Sequence, residues 1–287
     1  MPAVNPDTST AAAVTHYENF PVASWLCPPR LRPAIAAIYG FARTADDIAD
    51  EGQASAQQRL DELAAYRADL SAAAQGQAVS GRWAQVFPPL RAAIESFRLP
   101  EPLLADLLSA FEQDVLKTRD RAGYADRDEL LAYCRRSANP IGRLLLHLYG
   151  VDDAEALAQS DAICTALQLI NFWQDLSIDI PRGRCYLPLA DCAAHGVPQA
   201  DLLALRQTPD ATKLIANQVR WARAMMRNGS ALVHKVPGRA GWELRLVVQG
   251  GLRILDKIEA MNFATLAARP KITAWDAPVM LWRSLWM

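Results

Sequence analysis

The chain has 287 residues, 51% of them apolar, with 30 basic side chains against 31 acidic ones and a formal net charge of −1. That length supports a large core, and the balanced charge gives no reason to expect a polyanionic partner such as nucleic acid. Five cysteines (Cys27, Cys134, Cys164, Cys185, Cys192) are scattered without CxxC spacing, which argues against a disulfide framework and a zinc site, and for a reduced, cytoplasmic setting.

Met1 to Ala13 are small and polar, without the basic and apolar regions of a secretory leader. Residues 1–14 are expected to be disordered, ahead of one all-helical domain over 15–287. Leu31 to Asp50 reads as a helix, with Pro33 tolerated in its first turn. Ala54 to Gln75 reads as an amphipathic surface helix, followed by a break over Gly76 to Gly81. Pro89 to Phe97 and Glu101 to Lys117 are two further helical runs. Asp126 to Cys134 starts with Asp126 as N-cap and Glu129 three residues on. Ser137 to Gly142, holding Asn139-Pro140, is expected to break the chain before a helix over Arg143 to Tyr149. Asp152 to Ile178 reads as one long helix, then Pro181 to Arg184 as a loop. Ala200 to Leu205, Ala211 to Leu232 and Gly241 to Asn262 complete the helices. In the tail, Trp282 and Trp286 are spaced to share a helical face. It is expected to pack on its own domain, with peripheral contact at the inner membrane as the alternative. No apolar run reaches bilayer-spanning length. There is no β-alternation, no glycine-rich phosphate loop, no HExxH and no GxSxG.

Two acidic motifs carry the chemistry. Asp46-Asp47-Ile48-Ala49-Asp50 and Asp175-Leu176-Ser177-Ile178-Asp179 each place aspartates at i and i+4, one turn apart on one face. If the two helices face each other, four carboxylates converge, and such a cluster repels itself unless cations neutralise it. Oxygen-only ligands suit a hard divalent cation, and Mg²⁺ is bound by one or two carboxylates together with phosphate. Arg43 shares the first motif's face. It is either an intrahelical ion-pair partner or a ligand of phosphate oxygens. Gln168, Asn171, Asp175 and Asp179 form a polar stripe along an otherwise apolar helix, as expected of a wall lining a polar cavity. Arg182-Gly183-Arg184 follows directly and reads either as an ordinary basic loop or as a source of cations for a diphosphate.

The set Arg43-x-x-Asp46-Asp47-x-x-Asp50, Gln168-x-x-Asn171-x-x-x-Asp175-x-x-x-Asp179 and the trailing Arg182 to Pro188 resembles the squalene/phytoene synthase family, over roughly His16 to Glu259. The run His16 to Ser24 and Asn171-Phe172-Trp173-Gln174-Asp175 are most similar to its hydroxysqualene synthase branch in bacterial hopanoid biosynthesis. The resemblance implies the all-α isoprenoid synthase fold, with helices around a central apolar cavity and aspartates at its mouth. It implies Mg²⁺ as cofactor, presqualene diphosphate as substrate, and other enzymes of the hopanoid pathway as partners. It places Asp46, Asp47, Asp50, Asn171, Asp175 and Asp179 around metal, and His16, Arg43, Gln168 and Arg184 around the diphosphate. Arg43, Tyr133 and Asn171 become catalytic candidates; Phe20, Phe41, Tyr133 and Phe172 become candidates for the cavity wall. Asn139 is a candidate to position water.

Two departures stand out. Many members of the family carry Arg where this chain has Gln174, and a Val-Ala-Gly-x-Val-Gly stretch where it has Ser137 to Gly142. Both favour a step on a single bulky diphosphate over condensation of two prenyl diphosphates. The alternatives are that condensation, a non-catalytic isoprenoid-binding or assembly factor, and a helical bundle with buried salt bridges.

Overall fold

A computed structural model describes residues 27–287, so His16 and Phe20 lie outside the described residues. Those residues form helices joined by turns and loops, without a strand among them, as the composition predicts.

The first four helices are α1 (Arg32–Asp50), α2 (Ala56–Ala74), α3 (Phe87–Phe97) and α4 (Glu101–Asp120). Local chemistry sets their starts. Pro33 occupies the first turn of α1, where a missing N–H leaves no bond unmade. Ser55 opens α2 with a reciprocal capping box, its Oγ accepting from Gln58 N and its own N donating to Gln58 Oε1. These helices enclose one core in which Phe41, Tyr66 and Phe87 are fully buried.

Next come α5 (Arg127–Ser137), α6 (Asn139–Tyr149) and α7 (Ala154–Gln174). Asp126 caps α5 by accepting from Glu129 N at 2.9 Å, as expected. The break expected over Ser137 to Gly142 is instead a junction at Ala138 alone, and α6 begins at Asn139 rather than Arg143. Pro140 falls in the first turn of α6, so it starts a helix rather than ending one. Gly142 lets α6 press on α7: a Cβ there would stand 2.4 Å from Ser160 Oγ and 2.5 Å from Cys164 Sγ.

The long helix expected over Asp152 to Ile178 is interrupted at Asp175. Ser177 N donates to Thr265 O at 3.2 Å instead of continuing the helical ladder. Helix α8 (Leu176–Asp179) and a 3₁₀ turn follow, then the short α9 (Leu189–Ala194) and α10 (Gln199–Leu203). Asp179 N still donates to Asp175 O at 2.9 Å, so the one-turn spacing of the motif survives the break.

Helices α11 (Pro209–Gly229) and α12 (Arg239–Ala260) pack with α7 around a second core that includes Trp173, Leu214, Val219 and Leu255. Helix α13 (Ala277–Leu285) lies along α12. Helix α6 contributes Leu144 and Leu148 to the first core and Leu146 to the second. A cavity of about 510 Å³ is walled by residues of α1, α4, α6, α7 and α12.

Candidate active site

Helix α1 turns Tyr39, Arg43 and Asp46 to the cavity, and α7 turns Gln168 and Asn171 to it. Their three- and four-residue spacings put each set on one helical face. Away from these groups the wall is largely apolar, with Ile38, Phe111, Ile141, Leu167, Leu244 and Val247.

Within α1, Arg43 bonds Asp46 at 3.1 Å and Asp47 at 2.7 Å, so the intrahelical ion pair is formed and the guanidinium also lines the cavity. Asp50, at the C-terminal end of α1, is held by Arg184 at 2.5 Å. Arg184 also acts electrostatically on Asp46 and Asp179, and so ties the two motifs together. Asp175 is paired with Arg269 at 2.5 Å.

Asp175 is buried and Asp46 and Asp179 are part-buried, which disfavours their charged forms, while Asp50 is exposed. Burial lifts Asp46 to about 6, with Asp50 and Asp47 pushing the same way and Arg43 opposing. Burial lifts Asp179 to about 7, reinforced by Asp175 and opposed by Arg184. Asp175 is raised by burial against the pull of Arg269. Such a set is poised to accept cations, since added positive charge would restore the ionised state.

The donor set is carboxylate oxygen plus the Asn171 amide, and such oxygen donors fit Mg²⁺ better than zinc. Among the described residues, no group of three or more His, Cys, Asp or Glu side chains forms a ready-made cage. Cations here would therefore be shared between these carboxylates and the oxygens of a phosphate-bearing ligand.

Several expectations are corrected. Phe41 does not line the cavity; it stacks on Tyr66 at 5.1 Å within the first core. Positions i and i+2 on a helix are about 200° apart, so Phe41 points opposite to Arg43. Phe172 and Tyr133 are buried beside the site rather than on the cavity wall. Phe172 stacks on Tyr186 at 3.7 Å, and Tyr133 lies in the same aromatic cluster. Gln174 is buried and donates to Pro270 O at 2.7 Å, away from the cavity. Asn139 accepts from Thr165 Oγ1 at 2.9 Å and does not line the cavity either, so it positions no water there.

Two residues escaped the sequence reading. Asp114 on α4 accepts from Tyr133 Oη at 2.7 Å, and burial lifts it to about 7, with Asp46 and Asp50 adding to the rise. The missed signal was a carboxylate on the apolar stripe of Leu107, Ala110 and Phe111. Arg269 had no local signal: it sits in the segment after α12 and reaches Asp175 only through the tertiary fold.

Residues 13–276 match the family model described as squalene/phytoene synthase. The chain belongs to the squalene/phytoene synthase family. Squalene/phytoene synthases are enzymes that act on prenyl diphosphates. The chain is 34% identical to a hydroxysqualene synthase from Sinorhizobium fredii over 250 residues, 87% of this chain and 80% of that one. It is 31% identical to a phytoene synthase from Thermus thermophilus over 285 residues, 98% of this chain and 93% of that one. The crystal structure of squalene synthase HpnC from Alicyclobacillus acidocaldarius matches with a TM-score of 0.78 at 36% identity, covering 86% of this chain and 90% of that one. The fold shared across this squalene/phytoene synthase family is the all-α isoprenoid synthase fold. Among the described residues, no helix is long and apolar enough to cross a membrane.

Proposed function

We propose that this chain converts presqualene diphosphate and water to hydroxysqualene and diphosphate, as a lyase. The observation that carries the reading is the junction of two surfaces: Arg43, Asp46, Gln168 and Asn171 open onto the same largely apolar cavity. The polar end suits a diphosphate and the apolar part suits an isoprenoid chain. The S. fredii relative, named hydroxysqualene synthase, supports this reaction over others of the family.

Magnesium, when bound at the aspartate motifs, supplies charge neutralisation at the leaving diphosphate. Arg43, Arg184 and Arg269 bring cationic donors to the same region and can hold phosphate oxygens once released from their carboxylate partners. The substrate's carbon–oxygen bond breaks, and its electron pair leaves with the diphosphate. The carbocation that remains is sheltered by apolar walls and by the aromatic faces of Tyr39, Phe111 and Tyr149. After rearrangement, the oxygen of one water bonds to the cationic carbon and the water's proton is released, giving the alcohol.

Condensation of two prenyl diphosphates is the second reading, favoured by the phytoene synthase relative that matches nearly the whole chain. Gln174 and Asn139 face away from the cavity, so neither argues against it. A product assay with Mg²⁺ separates the two. Hydroxysqualene from presqualene diphosphate, with nothing from farnesyl or geranylgeranyl diphosphate, supports the proposal. Presqualene diphosphate or phytoene formed from those smaller substrates overturns it.

A further inference from the structure

Helix α13 is firmly held and yet turns an apolar face outward. Its inner side packs on α12 through buried Ser284 and through Met280, whose Cε would lie 3.5 Å from a Cβ at Gly250. Arg245 of α12 donates to Ser284 O and Met287 O, and Arg283 pairs with Asp256 at 2.6 Å. Just ahead of it, Asp276 is buried and clasped by Arg253 at 2.7 Å and Lys257 at 2.5 Å. The outer side carries Leu281, Trp282, Leu285 and Trp286, all exposed, with Trp282 and Trp286 in edge contact at 5.7 Å. Trp275, 89% exposed, precedes α13, and Trp242 of α12, 46% exposed, lies beneath the Arg245 guanidinium that bonds the end of α13. Ion pairs and backbone bonds thus fix in place a surface that water alone would not favour.

The charge beside this face is positive. Trp282 and Trp286 border a groove of about 550 Å³ whose other lining includes Arg223, Arg227 and Arg283 with Asp256, and Arg223 also pairs with Glu259 at 2.9 Å, so three guanidinium groups meet two side-chain carboxylates. Asp256 is already taken up by Arg223 and Arg283, whereas Arg227 is exposed and has no ion pair among the described residues. Tryptophan side chains with an apolar body and a donor N–H settle at the boundary between lipid tails and headgroups, and arginines beside them attract anionic headgroups.

We infer that the α12–α13 face, with its Trp282/Trp286 groove, docks this protein peripherally on a bilayer containing anionic phospholipid. Helix α13 is nine residues long, enough to lie in the interface and too short to span. A bilayer rather than a protein partner follows from the isoprenoid reading of the cavity, because the substrate and product of that reading dissolve in lipid. Helix α12 connects the two: Leu244 and Val247 line the cavity, while Arg245 of the same helix bonds the end of α13.

The full chain, without substrate, is tested by co-sedimentation with vesicles of phosphatidylcholine alone and of phosphatidylcholine mixed with phosphatidylglycerol. Binding to the mixed vesicles is expected, weakening as salt is raised. The double variant Trp282→Ser with Trp286→Ser should bind at least about tenfold more weakly. Arg227→Glu should selectively lose the preference for phosphatidylglycerol. Melting curves and activity on detergent-dispersed substrate check that each variant is folded. A folded parent that binds neither vesicle overturns the inference. So does a dimer in sedimentation velocity that the double variant abolishes, since the face would then join two copies. Vesicle binding by a protein that fails the hydroxysqualene assay would retain the docking surface and remove the reaction reading instead.

Discussion

Arg184 Nη2 lies 2.5 Å from Asp50 Oδ1, joining side chains 134 positions apart at the point where the two aspartate motifs approach. The same guanidinium lowers the pKa of Asp46, Asp114 and Asp179. Arg184→Ala should reduce turnover by roughly 10²–10³-fold, the scale for loss of one donor to a developing anionic charge. Arg184→Lys, which keeps charge but loses the planar fork, should recover only part of that. Steady-state turnover of the three proteins on presqualene diphosphate tests the ranking, and an alanine variant with parental turnover would remove Arg184 from the site.

Cation binding should be visible without chemistry. Mg²⁺ together with inorganic diphosphate is expected to raise the melting temperature, adding about 1.4 kcal/mol for each tenfold excess of ligand over its dissociation constant. A chelator should reverse the shift. Asp46→Asn and Asp179→Asn, which remove one carboxylate from each motif, should each blunt it. Thermal scans with each component alone and combined make the check; equal shifts in parent and variants would exclude the motifs as the binding site.

Asp114 should make the ligand-free protein sensitive to pH. Its carboxyl is raised from 3.8 to about 7 by burial, so the folded state holds a proton that the unfolded state has released. Its contribution to stability therefore falls as pH rises from about 4 to about 7, and is flat above. Asp114→Asn should remove that slope and melt above the parent at pH 8. Melting temperatures across this range decide it, and parallel curves for the two proteins would contradict the assignment.

Gly142→Ala should destabilise the α6–α7 contact by about 1–3 kcal/mol, because the added methyl would overlap Ser160 Oγ and Cys164 Sγ. Pairing it with Ser160→Ala and Cys164→Ala should recover most of the loss. Urea denaturation of the single and triple variants tests this, with failure of the triple variant to recover counting against a steric cause.

Asp276 is held well below the usual carboxylate range, burial being outweighed by hydrogen bonds from Lys257, the Thr273 backbone and Arg253. Its contribution is fully present above about pH 4 and is lost as pH falls toward its lowered folded value. Asp276→Asn should cost about 1–3 kcal/mol at neutral pH, with Lys257 and Arg253 left unpaired but partly solvated. The variant and the parent should converge in stability below pH 3, as measured by denaturation at both pH values.

The helices and the polar ends of the site were legible because they rest on local spacing. Asp46 and Asp50, or Gln168 and Asn171, share a face whenever the segment is helical. The aromatic assignments failed for a different reason. Phe41 and Phe172 are apolar in sequence whether they border a void or fill a core, and only tertiary packing separates the two environments. Asn139-Pro140 misled because the same dipeptide that ends one helix also starts another. Asp114 and Arg269 enter the site through contacts with distant segments, which local periodicity does not encode.

The cavity between two separately packed cores divides the chain's side chains into two populations under different physical constraints. Phe41, Tyr66 and Trp173 are locked into dense interiors, where a change of one methylene is felt in folding. Ile38, Ile141 and Val247 also border empty space, where a change of size alters what fits before it alters whether the chain folds. Substitutions along that wall can therefore reshape the space a ligand meets while the two dense interiors stay intact.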